Sequence, residues 1–149
     1  MQAEAPAAGG GTWMATIAAA LLRRGTMIHA ASLTLTLSTL LAGAAWSILA
    51  AGHGLAWLSV GAAIVLPGIV EFWLAARVAL DAELFDAIAA READLDGLDR
   101  AMQALGLMPQ DKAGRALGKR VQGAFRLLKL QALVLGLQVS VLVLGTFWA

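Results

Sequence analysis

Few side chains in this 149-residue chain are placed to do chemistry, and one stands apart. Glu71 is the single carboxylate of the apolar residues 55–78 and lies six residues, about 9 Å, deeper than Arg77. A carboxylate inside an apolar run is costly without a partner, so it is read first as functional. Folding the chain back about residues 52–53 brings Glu71 level with Thr34, with His29 about one turn further along. Counting inward from Lys129 puts Gln138 within about a turn of the same level. Glu71, Thr34, Gln138 and His29 therefore form a candidate intramembrane polar cluster that satisfies its own hydrogen bonds. Three uses are open to it. A structural or snorkelling carboxylate leads; contact with a partner subunit and a proton or ion site follow.

Other motifs dissolve when their chemistry is checked. His29 and His53 are 24 residues apart, about 36 Å along a helix, and cannot ligate one haem iron. Residues 94–99 (DLDGLD) hint at a calcium loop, but Asp99 stands where an EF-hand needs glycine and Leu105 where it needs glutamate. Residues 114–119 (GRALGK) are one residue short of a P-loop, with Arg120 where Ser or Thr should hold magnesium. There is no cysteine, which removes disulfides, thiolate metal sites and thiol nucleophiles together. No nucleophile–base pair shares one depth apart from His29 and Glu71. The expectation is a protein that is not an enzyme and has no cofactor and no metal.

The elements that must position these residues are set by composition. The chain is 60% hydrophobic and 14% charged, against about 45–50% and about 25% in ordinary globular proteins. Mean hydropathy is +0.76. Residues 27–51, 55–78 and 130–148 are apolar runs of spanning length, since a bilayer core needs about 20 helical residues. Ser32, Thr36, Thr39 and Gly43 share one face of the first run, a small-residue surface suited to close helix packing in lipid. Pro67 predicts a kink in the second run. Residues 1–26 read as a disordered Ala/Gly/Pro-rich start followed by a short interfacial helix with Trp13, Ile17 and Leu21 on one side. Arg23 and Arg24 follow that apolar stretch, whereas a secretory signal carries its cations first.

Between the second and third runs, residues 79–129 segregate their charge. Residues 81–111 carry eight carboxylates against Arg91 and Arg100, and residues 112–129 carry six cations and no acid. Leu84, Ile88, Leu95, Leu98, Met102 and Leu105 on the acidic arm, and Leu117, Val121, Ala124 and Leu128 on the basic arm, recur at helical spacing. The acidic arm is 13 residues longer, an excess of roughly 20 Å. A straight pair of helices is thus ruled out. The second spanning helix should run on to about Arg91, break near residues 94–97, restart as a short helix over about residues 95–105, turn near Met108 and Pro109, and return as a basic helix fused to the third span. Asp81 and Asp86 with Arg115, Lys119, Arg120, Arg126 and Lys129 are the candidate contacts for self-pairing, a docking partner or anionic lipid headgroups. With a net charge of only +1 and no aromatics interleaved with the basic run, nucleic acid is not an expected partner.

These observations predict an all-α integral membrane protein with three transmembrane helices and a cytosolic helical hairpin between the second and third. All eleven Lys and Arg lie before residue 25 or within residues 77–129. That places the N-terminus and hairpin in the cytosol and the C-terminus in the periplasm of a bacterial inner membrane. Trp46, Trp57 and Trp148 then fall near the outer interface, and Trp13 and Trp73 near the inner one. The first functional expectation is a non-catalytic accessory or scaffold subunit that packs against partner transmembrane helices, or against copies of itself, and presents the hairpin for docking. The alternatives are a small homo-oligomeric channel or transporter using Glu71, and a lytic pore.

Overall fold

The computed structural model describes residues 9–49, 54–90, 95–106 and 114–148, with side chains over 10–46, 59–90, 95–106 and 114–145. Every regular element among them is helical: α1 (Gly9–Leu22), α2 (Gly25–Leu49), α3 (Gly54–Ala89), α4 (Leu95–Ala104) and α5 (Leu117–Trp148). Three stretches, Gly10–Trp46, Ser59–Ala89 and Leu117–Gly145, are long and apolar enough to cross a membrane. The first contains the Arg23–Arg24 turn, so its piece of spanning length is the 25-residue α2, about 38 Å long. α3 has 36 residues and α5 has 32, about 54 and 48 Å, both longer than a hydrocarbon core of about 30 Å.

α3 stops at Ala89, two residues before the expected Arg91, and α4 covers Leu95–Ala104. α5 joins the basic residues to the third apolar run without a break. Gly97 lies within the first turns of α4 and does not interrupt a helix. Pro67 is carried inside α3. Residues 9–11, expected to be irregular, are helical and open α1. Residues 1–8, the connection at 50–53, residue 94 at the start of the expected break, and the turn at Met108–Pro109 fall outside the described residues, as do the side chains of Trp57 and Trp148.

The chain divides into two compact units. One comprises Met1–Arg23 and Val78–Arg126, the other Arg24–Arg77 and Leu127–Ala149. The interior of the first is small and apolar: Ala15, Ala18, Ala19 and Leu22 of α1, Val78, Ala82 and Phe85 of α3, and Ala124 of α5 are all buried. Alanines and Leu22 on one face let α1 pack closely, and Trp13, 70% exposed, lies on the other face beside Met14, Ile17 and Leu21. The buried stripe on α3 is Val78, Ala82 and Phe85, one residue round from the expected Leu84 and Ile88, which are half-buried. Leu105, expected on the seam, is exposed.

The second unit has the opposite interior. Ile64 and Leu74 are its buried apolar side chains among the described residues, while Ser32, Thr39, Glu71, Gln131 and Gln138 are buried polar ones. Large apolar residues point outward from all three of its helices, among them Leu37 and Leu41 on α2, Leu66, Ile69 and Trp73 on α3, and Leu133 and Leu144 on α5. Thr34, Thr36 and Thr39 return their hydroxyls to the carbonyls of Ala30, Ser32 and Leu35, so threonine sits in α2 without an unsatisfied donor.

Candidate functional site

The polar interior is assembled from one stripe on each helix. Gly25, His29, Ser32, Thr36 and Thr39 follow one another at steps of four and three along α2, which keeps them on one face. Gln131 and Gln138 lie seven residues, two turns, apart on α5. α3 contributes Gly68 and Glu71, three residues apart.

Glu71 is 1% exposed and both of its carboxylate oxygens are engaged. Its Oε2 lies 2.9 Å from His29 Nδ1, and Gln131 Nε2 donates to its Oε1 at 2.8 Å. The same Gln131 nitrogen donates to the Gly25 carbonyl at 2.9 Å. A carbonyl can only accept, so this contact fixes which end of the Gln131 amide is the NH₂. Gln131 Oε1 is then left buried with no partner among the described residues. His29 is half-buried, with its ring 5.8 Å from that of Phe72.

One level away, Gln138 ties all three helices. Ser32 Oγ donates to its Oε1 at 2.6 Å, and its Nε2 donates to Thr36 Oγ1 and to the Ile64 carbonyl, each at 3.1 Å. Ile64 adjoins Ala63, the carbonyl that Pro67 leaves without its helix donor. A side chain from a neighbouring helix is a usual way to accommodate proline in an apolar setting. Close approach here depends on Gly68: a Cβ on it would stand 2.8 Å from Thr36 Oγ1 and 3.2 Å from Gln138 Nε2. Beside this network a groove of about 210 Å³ opens between α2 and α3, lined by His29, Leu33, Val65, Ile69, Glu71 and Phe72, with Ser32, Thr36 and Gly68 at its base.

Of the four residues expected to cluster, Glu71 and His29 meet directly. Gln138 lies with Ser32 and Thr36 rather than on Glu71, and the glutamine that does reach Glu71 is Gln131. Thr34 is exposed and bonded to the carbonyl of Ala30 in its own helix. The reason is angular. Counting residues gives depth but not direction, and Thr34 is two residues, about 200°, round the helix from Ser32. The signal that finds Gln131 was available: the spacing Leu117, Val121, Ala124, Leu128 continues to Gln131, Leu135 and Gln138.

The charged residues sort differently from their sequence reading. Arg120 is taken up by Asp99, with its Nη2 at 2.6 and 2.7 Å from the two carboxylate oxygens. The Gly114 amide donates to the same carboxylate at 2.8 Å. Gly114 has φ of 70°, a backbone state glycine adopts without penalty. Asp99 was weighed only as part of a calcium loop and was not among the candidate contacts, yet it is the buried acid of α4. Burial alone pushes its carboxyl up; the Arg120 hydrogen bond, the Gly114 amide and the Arg120 charge outweigh that and hold it below the ordinary value of 3.8. Asp86 pairs with Arg23 of α1, both partly exposed. Asp81 is half-buried, whereas Arg115, Lys119, Arg126 and Lys129 are exposed. Arg120 is thus committed within the chain, and the outward cations are the remaining four. Arg77 lies over the Trp73 ring, 5.5 Å from its centre.

Among the described residues no three His, Asp or Glu side chains converge as a metal site would require. Among the described residues, two bonded polar constellations sit on helices, one around Glu71 and Gln138 and one around Asp99. No protein-family model matches it, and neither does any curated protein or solved structure.

Proposed function

We propose that this protein is a non-catalytic scaffold or accessory subunit of a bacterial inner membrane. Its three long helices would lie in the bilayer, with the N-terminus and the charged residues 79–129 on the cytosolic side and the C-terminus in the periplasm. The observation that carries this reading is the second unit's reversed section: polar side chains bonded to one another inside, large apolar side chains outside. In water that arrangement wastes the hydrophobic effect, while in lipid it supplies the interhelical hydrogen bonds and close packing that hold helices together. The lipid-facing sides then remain open to partner helices. Arg115, Lys119, Arg126 and Lys129 serve as contacts for anionic headgroups or an acidic partner, each cation contributing about 1 kcal/mol near an anionic surface. Exposed Trp73 and Arg77 suit the inner interface.

Native mass spectrometry of the protein, extracted gently from its own host, tests this. A second polypeptide at fixed stoichiometry, or a homo-oligomer, is expected; free monomer alone would count decisively against the scaffold. A second reading, a small homo-oligomeric channel or transporter, is favoured by one observation, that buried Glu71 and half-buried His29 both line a groove. Reconstituted liposomes decide it: flux abolished by Glu71→Gln supports a transport role, and absence of flux in the unaltered protein removes it.

A further inference from the structure

We propose, resting on the membrane reading above, that Arg24, Arg77 and Lys129 form a collar that binds the phosphates of one anionic phospholipid leaflet. The collar holds the Glu71 network directly beneath the headgroups. The unit formed by Arg24–Arg77 and Leu127–Ala149 contains three Lys or Arg in its sequence, and they are these three. Each belongs to a different helix: Arg24 immediately precedes α2, Arg77 lies on α3 and Lys129 on α5. All three are exposed, and among the described residues none of them forms an ion pair. The unit's one acid, Glu71, is buried and already bonded to His29 and Gln131. Within the unit no carboxylate is left to neutralise the collar.

Bonds inside the unit set the three cations at related levels. Gln131 Nε2 donates to the Gly25 carbonyl and to Glu71 Oε1, which ties the start of α2 to α3 and α5. Gln138 bonds Thr36 and Ile64, so α3 runs opposite to α2 and α5, and all three cations lie on one side of the network. Arg24 adjoins Gly25, Lys129 is two residues, about 3 Å, from Gln131, and Arg77 is six residues, about 9 Å, from Glu71. Long Arg and Lys side chains absorb a difference of that size by extending toward the polar side. On the network's side of the collar, large apolar side chains face outward from every helix: Met27, Ile69, Trp73 and Leu133. Arg77 lies over the Trp73 ring, and tryptophan belongs at a bilayer interface. α5 runs 19 residues from Lys129 to Trp148, about 29 Å, and α3 runs 23 from Gly54 to Arg77, about 35 Å. Neither stretch holds another Lys or Arg, and each matches a hydrocarbon core of about 30 Å. An acidic partner helix lies along one side of a bundle. A leaflet surrounds it, and its phosphates reach all three helices at once.

The test reconstitutes the full chain in phosphatidylcholine vesicles carrying spin-labelled phosphatidylglycerol or spin-labelled phosphatidylcholine. Electron paramagnetic resonance then reads the fraction of each probe held at the protein surface. The expected result is a preference for phosphatidylglycerol of about fivefold. The triple variant Arg24→Gln, Arg77→Gln, Lys129→Gln should bring that ratio to near one, while Arg24→Lys with Arg77→Lys should keep it. Arg115→Gln with Lys119→Gln, cations of the other unit, should leave it unchanged. The collar side chains stand outside the bonded network, and an unshifted SDS unfolding midpoint checks that the triple variant is folded. The sequence has no cysteine, so a nitroxide can be placed at single sites. Introduced by Ala76→Cys it should report headgroup depth, and by Val139→Cys the hydrocarbon; both positions are exposed. An unchanged preference in the triple variant, a loss in the Arg115 and Lys119 variant, or an Ala76 label at the bilayer centre or in bulk water would each overturn the collar. Protein that floats with the vesicles at high salt yet holds both probes equally overturns the collar alone. Protein that does not float overturns the membrane reading with it.

Discussion

The two units solve the same packing problem with opposite materials. The unit formed by Met1–Arg23 and Val78–Arg126 is closed by alanines, Val78 and Phe85, and its polar bonds sit around that core. Among the described residues, the unit formed by Arg24–Arg77 and Leu127–Ala149 is closed mainly by a glutamate, two glutamines, a serine and a threonine, with Ile64 and Leu74 beside them. The difference teaches what each interior is worth. A small apolar interior gains by van der Waals contact and tolerates imprecise direction. A polar interior gains only where donors and acceptors meet, but it specifies register and rotation for every helix it touches.

Substitutions can break this contrast, and the largest effect should come from steric intrusion into the polar interior. Gly68→Leu places carbon where Thr36 and Gln138 already stand. It should cost about 3 kcal/mol, the upper part of the usual range for overpacking, measured as a shifted midpoint when the reconstituted protein is unfolded with SDS. Gln138→Leu keeps the bulk but removes the bonds to Ser32, Thr36 and the Ile64 carbonyl, for about 2 kcal/mol in the same assay. If it proves neutral, the polar interior is ornamental to stability.

The other unit answers to pH. Asp99 has a folded-state value below its ordinary 3.8, so its contribution is complete above that value and is lost as pH falls through the lower folded one. Asp99→Asn should flatten this acid limb and lower stability at neutral pH by about 1–3 kcal/mol, read from acid unfolding followed by circular dichroism. An unchanged acid limb would mean that the Asp99–Arg120 contact does not form in solution. Smallest of all should be Thr34→Val, since its hydroxyl bonds only within its own helix on an exposed face. The expected change is below about 0.5 kcal/mol.

How much of this was legible in the sequence depended on which coordinate a residue had to reveal. Helix extent was readable: the charge pattern and the unequal arms gave the stop near Ala89, the restart at Leu95 and the continuous α5. The level of Glu71 along its helix relative to His29 was readable too, and the two meet. Rotation was not. Thr34 matches Glu71 in depth but faces away, and Asp99 looked like one acid in a run of many until its position beside Gly114 and Arg120 was seen. The alanine face of α1 was hidden for another reason. Alanine is common on every kind of helix surface, so Ala15, Ala18 and Ala19 give no pattern that separates an interior from an exterior, and the outward Trp13, Ile17 and Leu21 dominate the reading.

The Gln138 contact with the Ile64 carbonyl also bears on the order in which the molecule is built. Synthesis delivers α2 first, then α3 with its proline, and α5 last. Until α5 arrives, the backbone near Pro67 has no glutamine to brace it, and Ser32 and Thr36 lack their interhelical partner. α2 and α3 are thus made before the side chain that bonds to both of them. A chain synthesised only to a point before residue 138 lacks the bonds from Gln138 to Ser32, Thr36 and the Ile64 carbonyl.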